Sequence, residues 1–166
     1  MTAEAWSTDS TVLETSLETW DLTMSINLRG MFIACQAVLP HMLEQGSGSI
    51  VNMSSGAGLM GMPALVAYGT TKGGVVTLTK YLAVQYGREN IRTNCVLPGL
   101  VKTQQVLDNG PNQGEGFAET LPFHRTGRPE DLAGLIAFLC SDDAGFINGQ
   151  VIHCDGGGSA GAQVPA

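Results

Sequence analysis

From residue 18 to about residue 45, apolar positions recur at steps of three and four. Met24, Leu28, Met31, Phe32, Cys35, Leu39 and Met42 fall on one helical face. A second set, Ile26, Ile33, Ala34, Ala37 and Val38, covers much of the remaining circumference. Such a helix is expected to be buried on both sides. Pro40 is expected to bend or end it, since a proline inside a helix removes a hydrogen bond and crowds the preceding turn. Residues 46–49 read as a turn and the apolar run 50–53 as a short strand. A glycine-rich loop (54–63) leads to a second long helix, 67–86, stopped by Gly87. Residues 92–97 read as a strand ended by Pro98-Gly99, and residues 150–154 as a third. Between them Pro129 opens a helix running to Cys140, with Glu130 and Asp131 at its positive end. Strands alternating with helices predict an α/β fold with a parallel sheet. Three strands are few for a sheet covered on both faces. The chain reads as a single domain, 1–166, with residues 1–14 an irregular polar lead-in. Residues 104–122 are polar and too weakly periodic to assign.

Composition adds a constraint. Charged residues are 14% of the chain and apolar residues 43%, against about 25% charged in an ordinary soluble domain. So little charge implies burial against something else, a second subunit or a further part of the fold. The formal net charge is −7 and the basic residues form no cluster, which argues against nucleic acid as a partner. No apolar run approaches the roughly 18 residues of a membrane span, and the opening residues lack the basic and apolar regions of a signal peptide. Cys35, Cys95, Cys140 and Cys154 form no CxxC pair. A reduced, cytoplasmic chain with no membrane partner is expected.

The candidate chemistry lies in three side chains. Tyr68 and Lys72 are four residues apart, one turn along the same side of the second helix, and Ser55 lies thirteen residues before Tyr68. A free phenol has a pKa near 10 and is a poor base at neutral pH; moving it by about three units takes roughly 4 kcal/mol. One ammonium about 4 Å away, at an effective dielectric near 20, supplies about that much. Ser55, at the end of a strand, can donate a hydrogen bond to a carbonyl or alcohol oxygen, and the intervening loop lets both hydroxyls reach one point. The pattern is that of a proton-transfer site.

With Ser54-Ser55 upstream and Pro98-Gly99 downstream, the chain resembles the short-chain dehydrogenase/reductase family from about residue 17 to residue 157. The segments that carry the resemblance are Trp20-Asp21, Ile26-Asn27-Leu28-Arg29-Gly30, Gly48 through Ser55, and Tyr68-Gly69-Thr70-Thr71-Lys72-Gly73. It continues through Ile91 to Thr103, Arg125 to Asp131, and Gly149 to Gly157. The resemblance implies an incomplete Rossmann-like, doubly wound parallel sheet with flanking helices. It implies an oxidoreductase that moves hydride between NAD or NADP and a carbonyl/alcohol substrate, in a homo-oligomer packed through its long helices. By the same resemblance Tyr68 is the general acid/base, and Lys72 tunes it and holds the nicotinamide ribose. Ser55, rather than Ser54, polarises the substrate oxygen, and Asn27 anchors a water in the proton relay behind Lys72. Pro98, Gly99, Val101 and Thr103 border the nicotinamide, and the segment 104–122 forms the lid. Thr70-Thr71, His124 and Asn148 depart mildly from the family's usual residues; none of the three histidines is expected to be catalytic.

The family's opening strand, glycine-rich turn and helix, which hold the pyrophosphate, have no counterpart before residue 17. Gly56-Ala57-Gly58-Leu59-Met60-Gly61 matches GxGxxG literally, but Pro63 follows, no helix opens there, and no acid stands about twenty residues on. It is expected to be the loop over the active site. An N-terminally truncated enzyme is the expectation, and a non-catalytic subunit that associates through its apolar helices is the alternative.

Overall fold

The structure, a computed structural model, describes residues 8–103 and 115–161. Three strands, β1 (Gly48–Met53), β2 (Ile91–Pro98) and β3 (Val151–Cys154), form a parallel sheet in that order. Ile50 pairs with Thr93 and Met53 with Val96; Cys95 pairs with Val151 and Pro98 with Cys154. Among the described residues β1 has no strand on its outer edge.

Side chains alternate across a strand, and here both faces are apolar. On one face Cys95 and Leu97 pack with Val75 and Val76, and Ile50 and Ile91 pack with Cys35, Leu39 and Leu82. On the other, Val51, Met53, Val96 and Ile152 meet Leu132, Leu135, Ile136 and Leu139. The helices on the first face are α1 (Leu17–Met24), α2 (Gly30–Gln45) and α3 (Val66–Tyr86); α5 (Pro129–Cys140) covers the second. A short α4 (Glu115–Thr120) precedes it; the rest of the expected lid, residues 104–114, lies outside the described residues.

Three local expectations are corrected. Pro40 neither ends nor detaches the first long helix; α2 runs through it to Gln45 and stops at Gly46, whose φ of 73° supplies the left-handed cap. Pro40 and Gln36, whose carbonyl loses its usual partner, are both exposed, so water can satisfy that oxygen. Gly48 and Ser49 belong to β1 rather than to a turn. The helix is also not buried on both sides. Cys35, Leu39, Thr19 and Thr23 face inward, while Ile26, Phe32, Ile33 and Val38 are 40–51% exposed. Together α1, the turn after it and α2 span 29 residues, long and apolar enough to cross a membrane by length and composition. The sequence shows no such run because Asn27, Arg29 and Gln36 interrupt it.

Side chains also lock the elements together. Arg92 donates to the carbonyls of Leu139 and Ser141 at 2.8 and 3.0 Å, tying α5 to β2. Asn148 accepts from the Thr93 amide at 2.9 Å and donates to the Ala83 carbonyl at 3.1 Å, joining α3, β2 and the approach to β3. At the start of α5 the Arg125 guanidinium holds Asp131 at 2.6 and 3.0 Å, and the Arg128 amide adds a bond at 2.8 Å. These partners lower the Asp131 carboxyl from 3.8 to about 2. A depressed carboxyl contributes stability that is present above its unfolded pKa and lost as pH falls through its folded one. Thermal melts between pH 4 and pH 2 should therefore fall more steeply for the unchanged chain than for Asp131→Asn.

Candidate active site

The carboxyl ends of the strands bring together the segment after β1 (Ser54 and Ser55), the segment after β2 (Pro98 to Thr103), and the first turns of α3. In open α/β sheets, ligands bind outside these strand ends.

Lys72 organises the centre. Its Nζ donates to the Met53 carbonyl at 3.1 Å and lies 5.5 Å from the centre of the Tyr68 ring. The Ser54 hydroxyl donates to the backbone carbonyl of Lys72 at 2.8 Å, clamping the same turn of α3 to the end of β1. Burial pushes the Lys72 amine down from its ordinary value, and the nearby Cys95 opposes that shift. An ammonium here is favoured by acceptors and negative charge placed against it, and disfavoured without them.

Ser54 is buried and already committed to Lys72. Ser55 instead caps the short turn Gly56–Gly58, its Oγ accepting from the Ala57 amide at 3.3 Å. That bond uses a lone pair and leaves the hydroxyl proton of Ser55 to donate elsewhere.

Asn27 lies on a π-helical turn, Ser25–Arg29, between α1 and α2. Single π turns inside α-helices are frequent at functional sites. Its Nδ2 donates to Thr71 Oγ1 at 3.3 Å, and that hydroxyl donates to the Tyr68 carbonyl at 2.7 Å. The link from Asn27 to the Tyr68–Lys72 turn thus runs through Thr71, a residue that the spacing of the motif gave no reason to single out.

Pro98 closes β2, and the Gly99 amide donates to the Cys154 carbonyl at 3.1 Å. A Cβ on Gly99 would come within 2.8 Å of the Asp155 backbone, so glycine is needed for the loops after β2 and β3 to touch. Val101 bridges to Gly127, and the Thr103 amide donates to the Val101 carbonyl at 2.9 Å. Pro98 and Gly99 thus stand at the carboxyl end of β2, and Val101 and Thr103 follow in the loop beyond it. Among the described residues no three His, Cys, Asp or Glu side chains gather as metal ligands.

The glycine-rich loop serves packing. Gly58 lies against α3 so closely that a Cβ would sit 2.6 Å from the carbonyl carbon of Lys72 and 2.8 Å from the amide of Gly73. Both are backbone atoms, so a methyl there must displace the turn that carries Lys72. Gly58→Ala is expected to destabilise by about 1–3 kcal/mol, whereas Gly61→Ala, with nothing within 4 Å of its Cβ, should be close to neutral. Urea denaturation of the two variants side by side reads the contrast.

The sequence profile of the enoyl-(acyl carrier protein) reductase family matches residues 2–159. The chain belongs to the short-chain dehydrogenase/reductase family. A probable short-chain type dehydrogenase/reductase of Bradyrhizobium diazoefficiens is 47% identical over 152 residues, covering 90% of this chain and 53% of the relative. The 3-oxoacyl-[acyl-carrier-protein] reductase of Thermotoga maritima is 38% identical, covering 90% of this chain and 61% of that protein. Among solved structures, levodione reductase superposes with a TM-score of 0.85 at 38% identity, over 92% of this chain and 62% of the other. A gluconate 5-dehydrogenase from Burkholderia cenocepacia, in complex with NADP and tartrate, superposes with a TM-score of 0.86 at 30% identity, over 93% and 61%. The chain therefore spans little more than half to three-fifths of the length of these short-chain dehydrogenases. The sheet is accordingly a portion of the family's Rossmann-like, doubly wound fold.

Proposed function

We propose that this chain is the catalytic portion of an NAD(P)-dependent short-chain oxidoreductase acting on a carbonyl/alcohol pair. The observation that carries this reading is the half-buried Lys72 amine set 5.5 Å from the centre of the Tyr68 ring and bonded to the end of β1. Family membership supports it, as do relatives whose solved structures hold NADP.

The donor set fits such a cofactor. Lys72 donates one hydrogen bond, to Met53, and an ammonium carries three donors, which leaves two for ribose hydroxyls. Tyr68 and Lys72 would hold the ribose, with Pro98, Gly99, Val101 and Thr103 beside the nicotinamide. Bound there, the nicotinamide supplies the hydride for reduction or accepts it in oxidation. Tyr68 gives its phenolic proton to the carbonyl oxygen in reduction and takes the alcohol proton in oxidation. Ser55 donates a hydrogen bond to the same oxygen and fixes its position. Lys72 holds positive charge against the phenol as its proton moves. Asn27, fixed through Thr71, lies behind the pair where a water-borne proton path would start.

The bare helical faces bearing Phe32, Ile33 and Val38 support a homo-oligomer. The four free thiols, two of them buried, support a reducing compartment such as the cytoplasm. The test is spectrophotometric: this chain with NADH or NADPH and a panel of ketones, and with the oxidised cofactors and alcohols. Cofactor-dependent turnover is expected. Failure to bind either nicotinamide at millimolar concentration would overturn the reading for this chain.

A further inference from the structure

The polar segment before α1 reaches the catalytic helix. Residues 9–16 form neither helix nor strand, yet Asp9 is only 4% exposed, an unusual burial for a carboxylate. Its two oxygens accept from the backbone amides of Ala67 at 3.0 Å and Tyr68 at 2.7 Å. The next residue adds a third bond, the Ser10 carbonyl accepting from the Val66 amide at 3.3 Å.

These amides are among the four that a helix leaves without an internal partner at its start. The residue before α3 cannot satisfy them. Leu65 occupies the N-cap position with φ of 68° and makes no side-chain cap bond. Asp9 supplies that cap from 58 residues away. The segment that carries it is itself fastened, by Thr15 Oγ1 accepting from the Ser10 amide at 2.9 Å and by Glu14 accepting from the Ser10 and Thr11 hydroxyls.

We infer that Asp9 is a positioning residue for Tyr68, its carboxylate gripping the backbone of Ala67 and of Tyr68 itself so that the phenol is held at the strand ends. This rests on the acid/base role proposed for Tyr68. A side chain on the first turn of a helix is loosely held by the helix itself, because the amides of that turn have no partner within it. The turn below Tyr68 is fixed through Lys72 and Ser54; the turn that bears Tyr68 is fixed through Asp9 and, on its carbonyl side, through Thr71. A bond of 2.7 Å from an amide to a carboxylate has the length of a charge-assisted one, about twice as strong as its neutral counterpart. Loss of that grip would let the phenol wander by a fraction of its reach, and misplacement on the scale of 1 Å can cost about 100-fold in rate.

Two measurements on the same protein test this. Amide hydrogen exchange should show Ala67 and Tyr68 protected in the unchanged chain. In Asp9→Ala they should exchange about 2- to 30-fold faster, with the amides beyond the second turn unaffected. In turnover, Asp9→Ala should lose about 10- to 100-fold in kcat with KM for substrate unchanged. Asp9→Asn, which keeps one acceptor oxygen, should recover part of that loss. Unprotected amides in the unchanged chain would overturn the inference without reference to activity. Faster exchange accompanied by an unchanged kcat would also overturn it, since the cap would then serve stability alone. An unchanged chain that turns nothing over while its two amides stay protected would count against the proposed reaction, and leave the grip of Asp9 on the helix standing.

Discussion

Replacing Tyr68 by Phe should lower kcat by about 10²- to 10⁴-fold, the range for loss of a positioned general acid or base. The substitution removes one oxygen from a half-buried ring and leaves the backbone bonds of Tyr68 to Asp9 and Thr71 untouched. Folding should therefore be unchanged, and circular dichroism and the melting temperature are the controls. KM should move little, since the hydroxyl acts on the proton in flight more than on ground-state binding. Steady-state kinetics at saturating cofactor read the effect. Turnover within a factor of two of the unchanged chain would remove Tyr68 from the chemistry.

The second large effect is structural. Leu97 on β2 is fully buried and packs with Val75, Val76 and Cys95, with Leu28 and Met31 closing over them. It joins α3, which carries Tyr68 and Lys72, to the sheet one residue before Pro98, and meets Leu28, the neighbour of Asn27 on the turn between α1 and α2. Leu97→Ala should cost about 2–5 kcal/mol, the sum of lost transfer free energy and the cavity left behind. A domain is stable by only about 5–15 kcal/mol, so the variant should melt far earlier or fail to accumulate. Val84→Ala on the same helix, where Val84 is 83% exposed, should stay within about 0.5 kcal/mol. Equal melting temperatures for the two would contradict this assignment of the core.

Local pattern made most of the architecture legible. The apolar period placed α3 to within a residue, Pro129 and its acids placed the start of α5, and each strand was found to within two residues at either end. Tyr68 and Lys72 were legible because their partner is one turn away on one helix. What escaped the sequence depends on distant partners. Asp9 looks like any polar residue in a loop; only the folded chain brings it against amides 58 and 59 positions later. Thr71 bridges to Asn27 across 44 residues. The π turn at Ser25–Arg29 changes the angular phase by a single residue, which the apolar repeat is too broad to register. Pro40 is tolerated inside α2 because it lies on the solvent side, and the sequence does not say which side of the helix meets solvent. The glycine-rich run 56–61 shows the reverse case, a motif whose letters match a phosphate cradle while its geometry serves the close approach of Gly58 to Lys72.

Kinetics of a double-mutant cycle offer the most direct measurement: Tyr68→Phe, Lys72→Met and the two combined, compared by kcat at saturating cofactor. Residues that act as one unit lose their function together. The double variant is expected to be no slower than Tyr68→Phe alone, within about threefold. Losses that multiply, each substitution adding its full factor to the other, would show that the lysine and the phenol work independently, and the proton-transfer pair would be the wrong description of this site.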